Sequence, residues 1–239
     1  MGKVVAIGGG ELRKGETYIL DKYIVELSGK KEPKLLFIPT ASQDALGYIT
    51  LIEEYFGEFG CCVDSLCLIT DIYTNEEIQS KILEADIIYV GGGDTVRMME
   101  IWKKYHVDTY LKEAYLQGTV LSGLSAGSIC WFEFGYSDSD SFVNNGQWDY
   151  VRAYGLGLIP AAHCPHYNEP GREGFDKMMC GESIVGIALE DNTALIEENG
   201  QYSILKADKE RKAYIFKTVD SELKKKELEE GKINLEFIK

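Results

Sequence analysis

Positive charge is what this chain has least of. Its 239 residues carry 25 Lys and Arg against 39 Asp and Glu, a formal net charge of −14. A phosphate backbone or an anionic membrane surface calls for a basic face, so nucleic acid and acidic lipid are excluded as expected partners. Long hydrophobic runs are missing too. The apolar stretches are of strand length, well short of the ~20 residues that cross a bilayer. Met1 leads straight into Lys3-Val4-Val5-Ala6-Ile7, which reads as a strand and not as a signal peptide. Gly2 lacks the downstream Ser or Thr of a myristoylation site. Six cysteines, at positions 61, 62, 67, 130, 164 and 180, form no C-x-x-C pair, and several sit in apolar runs. Buried free thiols and a cytoplasmic location are therefore expected. Histidine occurs three times, as His106, His163 and His166. No third ligand of suitable spacing stands near the latter two, so no metal and no cofactor is expected.

What is present is an alternation of strand and helix signals. Strands are expected at Lys3 to Ile7, Lys34 to Ile38, Cys62 to Ile69, Asp86 to Val90 and from Thr119. Helices are expected at Tyr18 to Leu27, Ala45 to Phe59, Asn75 to Glu84, Val96 to Tyr105 and Asp108 to Gln117. Strands that are apolar without alternation, separated by helices, indicate an α/β fold with a mostly parallel sheet covered on both faces. The second half differs. Tyr136 to Tyr150 is polar and reads as a long loop. Val185 to Leu189, Thr193 to Glu197, Tyr202 to Leu205 and Ala213 to Lys217 read as strands with short turns, an antiparallel extension of the same sheet. From Ser221 the chain is highly charged and expected to be peripheral. Without a long linker or a repeat, residues 1–239 read as one domain.

The strand from Thr119 ends in Gly123-Leu124-Ser125-Ala126-Gly127, a G-x-S-x-G pattern running into a helical stretch. In a nucleophile elbow the two glycines leave room for a turn too tight for side chains. The serine is then held out at the carboxyl end of the sheet, where open α/β sheets bind ligands. A serine nucleophile needs a base and a group that orients the base. His106 lies in a charged helix end and reads as a surface residue. His163 and His166 share Ala161-Ala162-His163-Cys164-Pro165-His166-Tyr167, after an apolar run. For the orienting acid the residues leave Asp138, Asp140, Glu190 and Asp191 open. Oxyanion stabilisation needs two aligned N–H donors. The amide of Ala126 is the first, and Gly92 in Gly91-Gly92-Gly93 is the candidate second. That glycine run lacks both G-x-G-x-x-G spacing and a Walker lysine, and an acid, Asp94, follows it, so a phosphate turn is the poorer reading.

Together, Val90-Gly91-Gly92-Gly93-Asp94-Thr95, Gly123-Leu124-Ser125-Ala126-Gly127-Ser128, Pro165-His166-Tyr167 and the strand end Ile38-Pro39-Thr40-Ala41 resemble the S51 peptidases, which include dipeptidase E and, more distantly, cyanophycinase. The resemblance spans the chain from the first strand to about residue 217. It implies a flavodoxin-like, class I glutamine-amidotransferase-like fold and metal-independent serine hydrolysis of small peptides with an N-terminal acidic residue. By this resemblance Ser125 is the nucleophile, His166 the base and Asp138 the favoured acid. Asp140, Glu190 and Asp191 are the alternatives. Arg172 occupies the place of an arginine that holds the substrate's aspartate side chain. The sequence departs from dipeptidase E at Leu124, where that enzyme has an aromatic residue, and over Phe132 to Tyr150. An esterase of the α/β-hydrolase kind would suit the order Ser125, Asp138, His166, but no H-G-G-G motif precedes the serine and the chain ends early after the histidine. A binding protein that keeps the elbow without catalysis is the reading from another class. The oligomeric state is left open between monomer and homodimer.

Overall fold

Apolar residues on both sides of a strand need cover on both sides, and the first five strands have it. The computed structural model describes residues 2–144 and 146–233. Strands β1 (Lys3–Ile7), β2 (Lys34–Ile38), β3 (Cys62–Ser65), β4 (Ile87–Val90) and β5 (Val120–Leu124) run parallel in the order β1-β5-β4-β2-β3. Helices α1 (Tyr18–Leu27) and α2 (Leu46–Glu58) cover one face, packing Leu20, Ile24, Ile52 and Phe56 on Val5, Ile7, Phe37 and Tyr89. Helices α3 (Asn75–Leu83), α4 (Thr95–Lys104) and α5 (Val107–Gln117) cover the other, where Ile78, Met98, Trp102 and Leu111 meet Val4, Ala6, Ile88 and Leu121. Alternate residues of β1 thus belong to two different cores, which is why its sequence shows no polar alternation.

The second half forms a second sheet as well as an extension of the first. After the short helix α6 (Ala126–Ile129) come β6 (Phe132–Ser137), β7 (Val151–Tyr154), β8 (Ile159–Cys164), helix α7 (Gly174–Met179) and β9 (Val185–Leu189). The chain then crosses to the first sheet as β10 (Thr193–Glu198) and β11 (Gln201–Lys206). It returns as β12 (Ala213–Val219) and β13 (Glu222–Leu228), and ends with β14 (Gly231–Ile233) on β11. The first sheet has the order β14-β11-β10-β1-β5-β4-β2-β3, and the second β13-β12-β9-β8-β6-β7. The two share a core, since Phe132, Ile159 and Ile187 pack in one cluster with Val90, Leu121 and Leu195.

Four expectations change here. The antiparallel strands do not all extend one sheet, because β9 pairs with β8 on one side and β12 on the other in the second sheet. The polar stretch from Tyr136 begins inside β6, where Gly135, Tyr136 and Ser137 pair with β7. The charged segment after Ser221 is β13, an edge strand whose lysines and glutamates suit a solvated edge. Residues 234–239 lie outside the described residues. The strand expected to reach Ile69 stops at Ser65, although Leu66 and Leu68 are buried beyond it.

Candidate active site

Three consecutive carbonyls after β1 tie the site together. Ile7 O accepts from the Ser125 N–H at 3.3 Å, Gly8 O from the His166 N–H at 2.9 Å, and Gly9 O from the Asn192 N–H at 2.9 Å. The first sheet therefore presents Ser125, the end of β8 in the second sheet presents His166, and the crossing from β9 to β10 is tied to the same stretch through Asn192.

Ser125 has φ 57° and ψ −116°, a conformation that costs a non-glycine residue energy and that an elbow imposes. The flanking glycines are steric requirements. A Cβ on Gly123 would lie 2.5 Å from Val90 O and 2.6 Å from Gly127 O, and one on Gly127 would overlap the same Val90 carbonyl. Ala126 opens α6, so its N–H has no carbonyl of a preceding turn to bond. Gly92 lies against the nucleophile, since a Cβ on it would be 3.3 Å from Ser125 Cβ. Tyr48 packs beside this glycine run, its ring 2.8 Å from where a Cβ on Gly91 would lie, and burial pushes its phenol above the ordinary range although the nearby Gly92 amide acts to lower it.

His166 Nδ1 is 2.7 Å from Asp191 Oδ1. Asp191 is fixed in turn by Asn168, whose Nδ2 donates to Oδ2 at 2.8 Å and whose Oδ1 accepts from the Asp191 N–H at 2.8 Å. Burial acts to raise the Asp191 carboxyl, but the hydrogen bonds from His166 and Asn168 outweigh it and hold the group below its ordinary 3.8. It stays ionised at neutral pH. Nδ1 then donates to that carboxylate. Gly9 backs this pair so closely that any Cβ would overlap both Asp191 Oδ1 and His166 Nδ1.

The sequence expectation for the acid is corrected by this geometry. Asp138 does not reach His166. It follows β6 in the second sheet and accepts from Arg172 Nη2 at 3.2 Å. Asp140 binds Asn144 and the Asp149 N–H within its own loop, and Glu190 accepts from the Lys212 N–H. Arg172 is corrected as well. It is 2% exposed, donates from Nη1 to Tyr136 O at 3.2 Å and lies over the Tyr150 ring. It lines no cavity at Ser125. The two residues assigned separate roles in the site are instead partners of each other, bracing the loop after β6 against the loop after β8.

His163 is fully buried. The Ile187 carbonyl can only accept, so Nδ1 donates to it at 3.0 Å, while Nε2 lies 2.9 Å from Ser128 Oγ, whose hydroxyl also donates to the Ser125 carbonyl at 2.7 Å. Burial drives its pKa down to about 3, and its ring stacks on Phe132. Ser128 and His163 thus form a serine–histidine hydrogen bond that no substrate can reach. His106 is exposed at the start of α5.

Ser125 and His166 open together into a cavity of about 330 Å³ lined also by Gly10, Glu11, Leu12, Arg13, Tyr48, Leu51, Gly92 and Leu124. Asn168 and Tyr48 are not singled out by the sequence, whereas Gly8-Gly9-Gly10, a glycine turn at a strand end expected on the same sheet edge as the elbow, meets the site there. Among the described residues, His166, Glu169 and Asp191 also bring potential ligand atoms within 4.8 Å of one another. With Nδ1 donating to Asp191, that nitrogen has no lone pair to offer a cation, and the group serves the histidine better than a metal.

The sequence model of peptidase family S51 matches residues 4–205. The chain belongs to peptidase family S51. It is 33% identical over 205 residues to the uncharacterized peptidase YgaJ of Bacillus subtilis, covering 84% of this chain and 85% of that protein. To peptidase E of Shewanella denitrificans it is 28% identical over 173 residues, 68% of each chain. The crystal structure of a peptidase from an acI-B1 actinobacterium superposes with a TM-score of 0.75 at 21% identity, covering 98% of this chain and 96% of that one, a likeness of fold. The protein is a peptidase with a peptide substrate. No helix among the described residues is long and apolar enough to cross a membrane.

Proposed function

We propose that this S51 peptidase hydrolyses short peptides, dipeptides among them, by metal-independent serine catalysis with Ser125, His166 and Asp191. The observation that carries the reading is that Ser125 and His166 line one cavity while Asp191 occupies the far nitrogen of the same imidazole. His166 Nε2 takes the Ser125 hydroxyl proton as Oγ attacks the scissile carbonyl. The amides of Ala126 and Gly92 receive the oxyanion. The imidazolium, stabilised by Asp191, returns the proton to the leaving amine. Water then repeats the sequence on the acyl-enzyme. The preference for an N-terminal aspartate expected from the resemblance has no support from Arg172, which is buried away from the cavity at Ser125 with Nη1 on the Tyr136 carbonyl and Nη2 on Asp138.

A fluorophosphonate probe tests the reading directly, since it labels only an activated serine. Labelling and dipeptide hydrolysis are both expected in the wild type. Ser125→Ala should fold normally, lose labelling and lose turnover by on the order of 10⁴-fold or more. Retention of activity in Ser125→Ala would remove the serine from the mechanism. An esterase would be labelled but would leave peptides intact. A binding protein without catalysis would not be labelled.

A further inference from the structure

The cavity at Ser125 continues beyond the catalytic groups. Leu12, Arg13 and Leu51 line it and also line a second cavity of about 960 Å³, which runs on past Lys14 and Tyr18 to Glu54 and Tyr55 on α2. Arg13 therefore stands where the two meet. Among the described residues it is, apart from His166, the only basic side chain of the cavity at Ser125, and Glu11 is the only carboxylate.

Arg13 is exposed and holds no hydrogen bond or ion pair among the described residues. The nearby acid in sequence does not serve it. Glu16 Oε2 accepts from the Glu11 N–H at 3.0 Å, and Oε1 faces Lys14 Nζ at 3.9 Å. In a chain with 39 acidic residues and 25 basic ones, an uncommitted guanidinium beside the nucleophile stands out. Its planar fork matches a carboxylate in two parallel hydrogen bonds, and the apolar walls of Leu12, Leu51 and Leu124 reduce competition from water.

We infer that Arg13 is a specificity-determining residue that binds a carboxylate of the peptide substrate where the cleft at Ser125 opens into the larger groove. The inference rests on the reading of Ser125 and His166 as the reacting pair. The carboxylate has two sources, the free C-terminus of a short peptide or an acidic side chain, and both present the same chemistry to a guanidinium. Glu11, on the other side of Leu12, offers the opposite charge to a peptide ammonium.

The test compares wild type, Arg13→Ala and Arg13→Lys on four peptides: Ala-Leu, Ala-Leu-amide, Asp-Leu and Asn-Leu. If the C-terminus is the source, the amide is the poorer wild-type substrate by ~10- to 100-fold in kcat/KM, and Arg13→Ala lowers the free acids to the level of the amide. If the side chain is the source, the same pattern falls between Asp-Leu and Asn-Leu. Arg13→Lys should recover part of either effect. Equal losses on charged and neutral peptides, or rates in Arg13→Ala within about twofold of wild type on all four, would overturn the inference. Calorimetric binding of the same peptides to Ser125→Ala, with and without Arg13→Ala, gives a readout free of turnover, and a Kd unmoved by the second substitution would also overturn it. Fluorophosphonate labelling of the wild type separates the two failures: a labelled wild type with no carboxylate preference sinks the role of Arg13 alone, whereas an unlabelled wild type sinks the serine mechanism.

Discussion

The acid that orients a catalytic histidine is decided by a few ångströms. Asp138 and Asp191 are both ionisable, both partly exposed, and both close to loops that reach the site. Only Asp191 touches His166. Asp191→Asn should leave the fold intact and lower turnover on the order of 10⁴-fold, because an amide in that place favours the imidazole tautomer that cannot accept the serine proton. Asp138→Asn should do the reverse. Turnover should change little, while stability falls by about 1–2 kcal/mol as buried Arg172 loses the nearer of its two charged partners and keeps only Glu169 at 3.7 Å. Steady-state kinetics and urea denaturation of the two variants check this crossed pattern. The same loss of turnover in Asp138→Asn would return the acid to the loop after β6.

At the scale of elements, helices α1 and α2 are joined by a buried carboxylate. Asp21 on α1 accepts from the Thr17 hydroxyl at 2.7 Å and from the Tyr55 hydroxyl of α2 at 3.0 Å. Burial raises its pKa from 3.8 to about 7, the two hydrogen bonds opposing the shift only in part. Between those values the folded protein binds a proton that the unfolded chain does not. Stability from this group is therefore present at low pH and lost as pH rises to about 7, with a slope approaching ~1.4 kcal/mol per pH unit. His163 contributes the opposite slope from 6.5 down to about 3, since only the unfolded chain protonates it there. The informative quantity is therefore the difference between wild type and Asp21→Asn. The variant should gain stability relative to wild type as pH rises from 4 to 7, with the difference level above that range. Urea unfolding across this range measures it, and a difference independent of pH would show that Asp21 does not titrate there.

For the whole molecule, a net charge of −14 sets a repulsive field for any anionic substrate. Local cations such as Arg13 act at short range, within the screening length of about 8–10 Å, while the overall charge acts beyond it. Raising ionic strength should therefore increase kcat/KM for a peptide carrying net negative charge and leave a zwitterionic dipeptide nearly unchanged. A salt series on Asp-Leu and Ala-Leu checks this. A fall for Asp-Leu with salt would show that local attraction dominates over the global field.

The parallel core was legible in the sequence because each of its signals is local. Apolar runs, helical spacing and glycine-rich strand ends need no knowledge of distant residues, and the residues of β1 and α1 match their expected ranges. The elbow was equally legible, since Gly123 and Gly127 flank a serine that only a tight strand-to-helix turn makes useful. The acid, the carboxylate-binding arginine and the second sheet were not. Asp191 meets His166 because β9 and β10 belong to different sheets and the chain must cross between them at that point. Arg172 was drawn inward by Asp138 and Tyr136, a pairing between loops more than thirty residues apart. Local sequence determined which residues could react. The packing of two sheets against one core decided which of them meet, because a hydrogen-bonding contact across such a distance is fixed by where strands end and not by what precedes them in the chain.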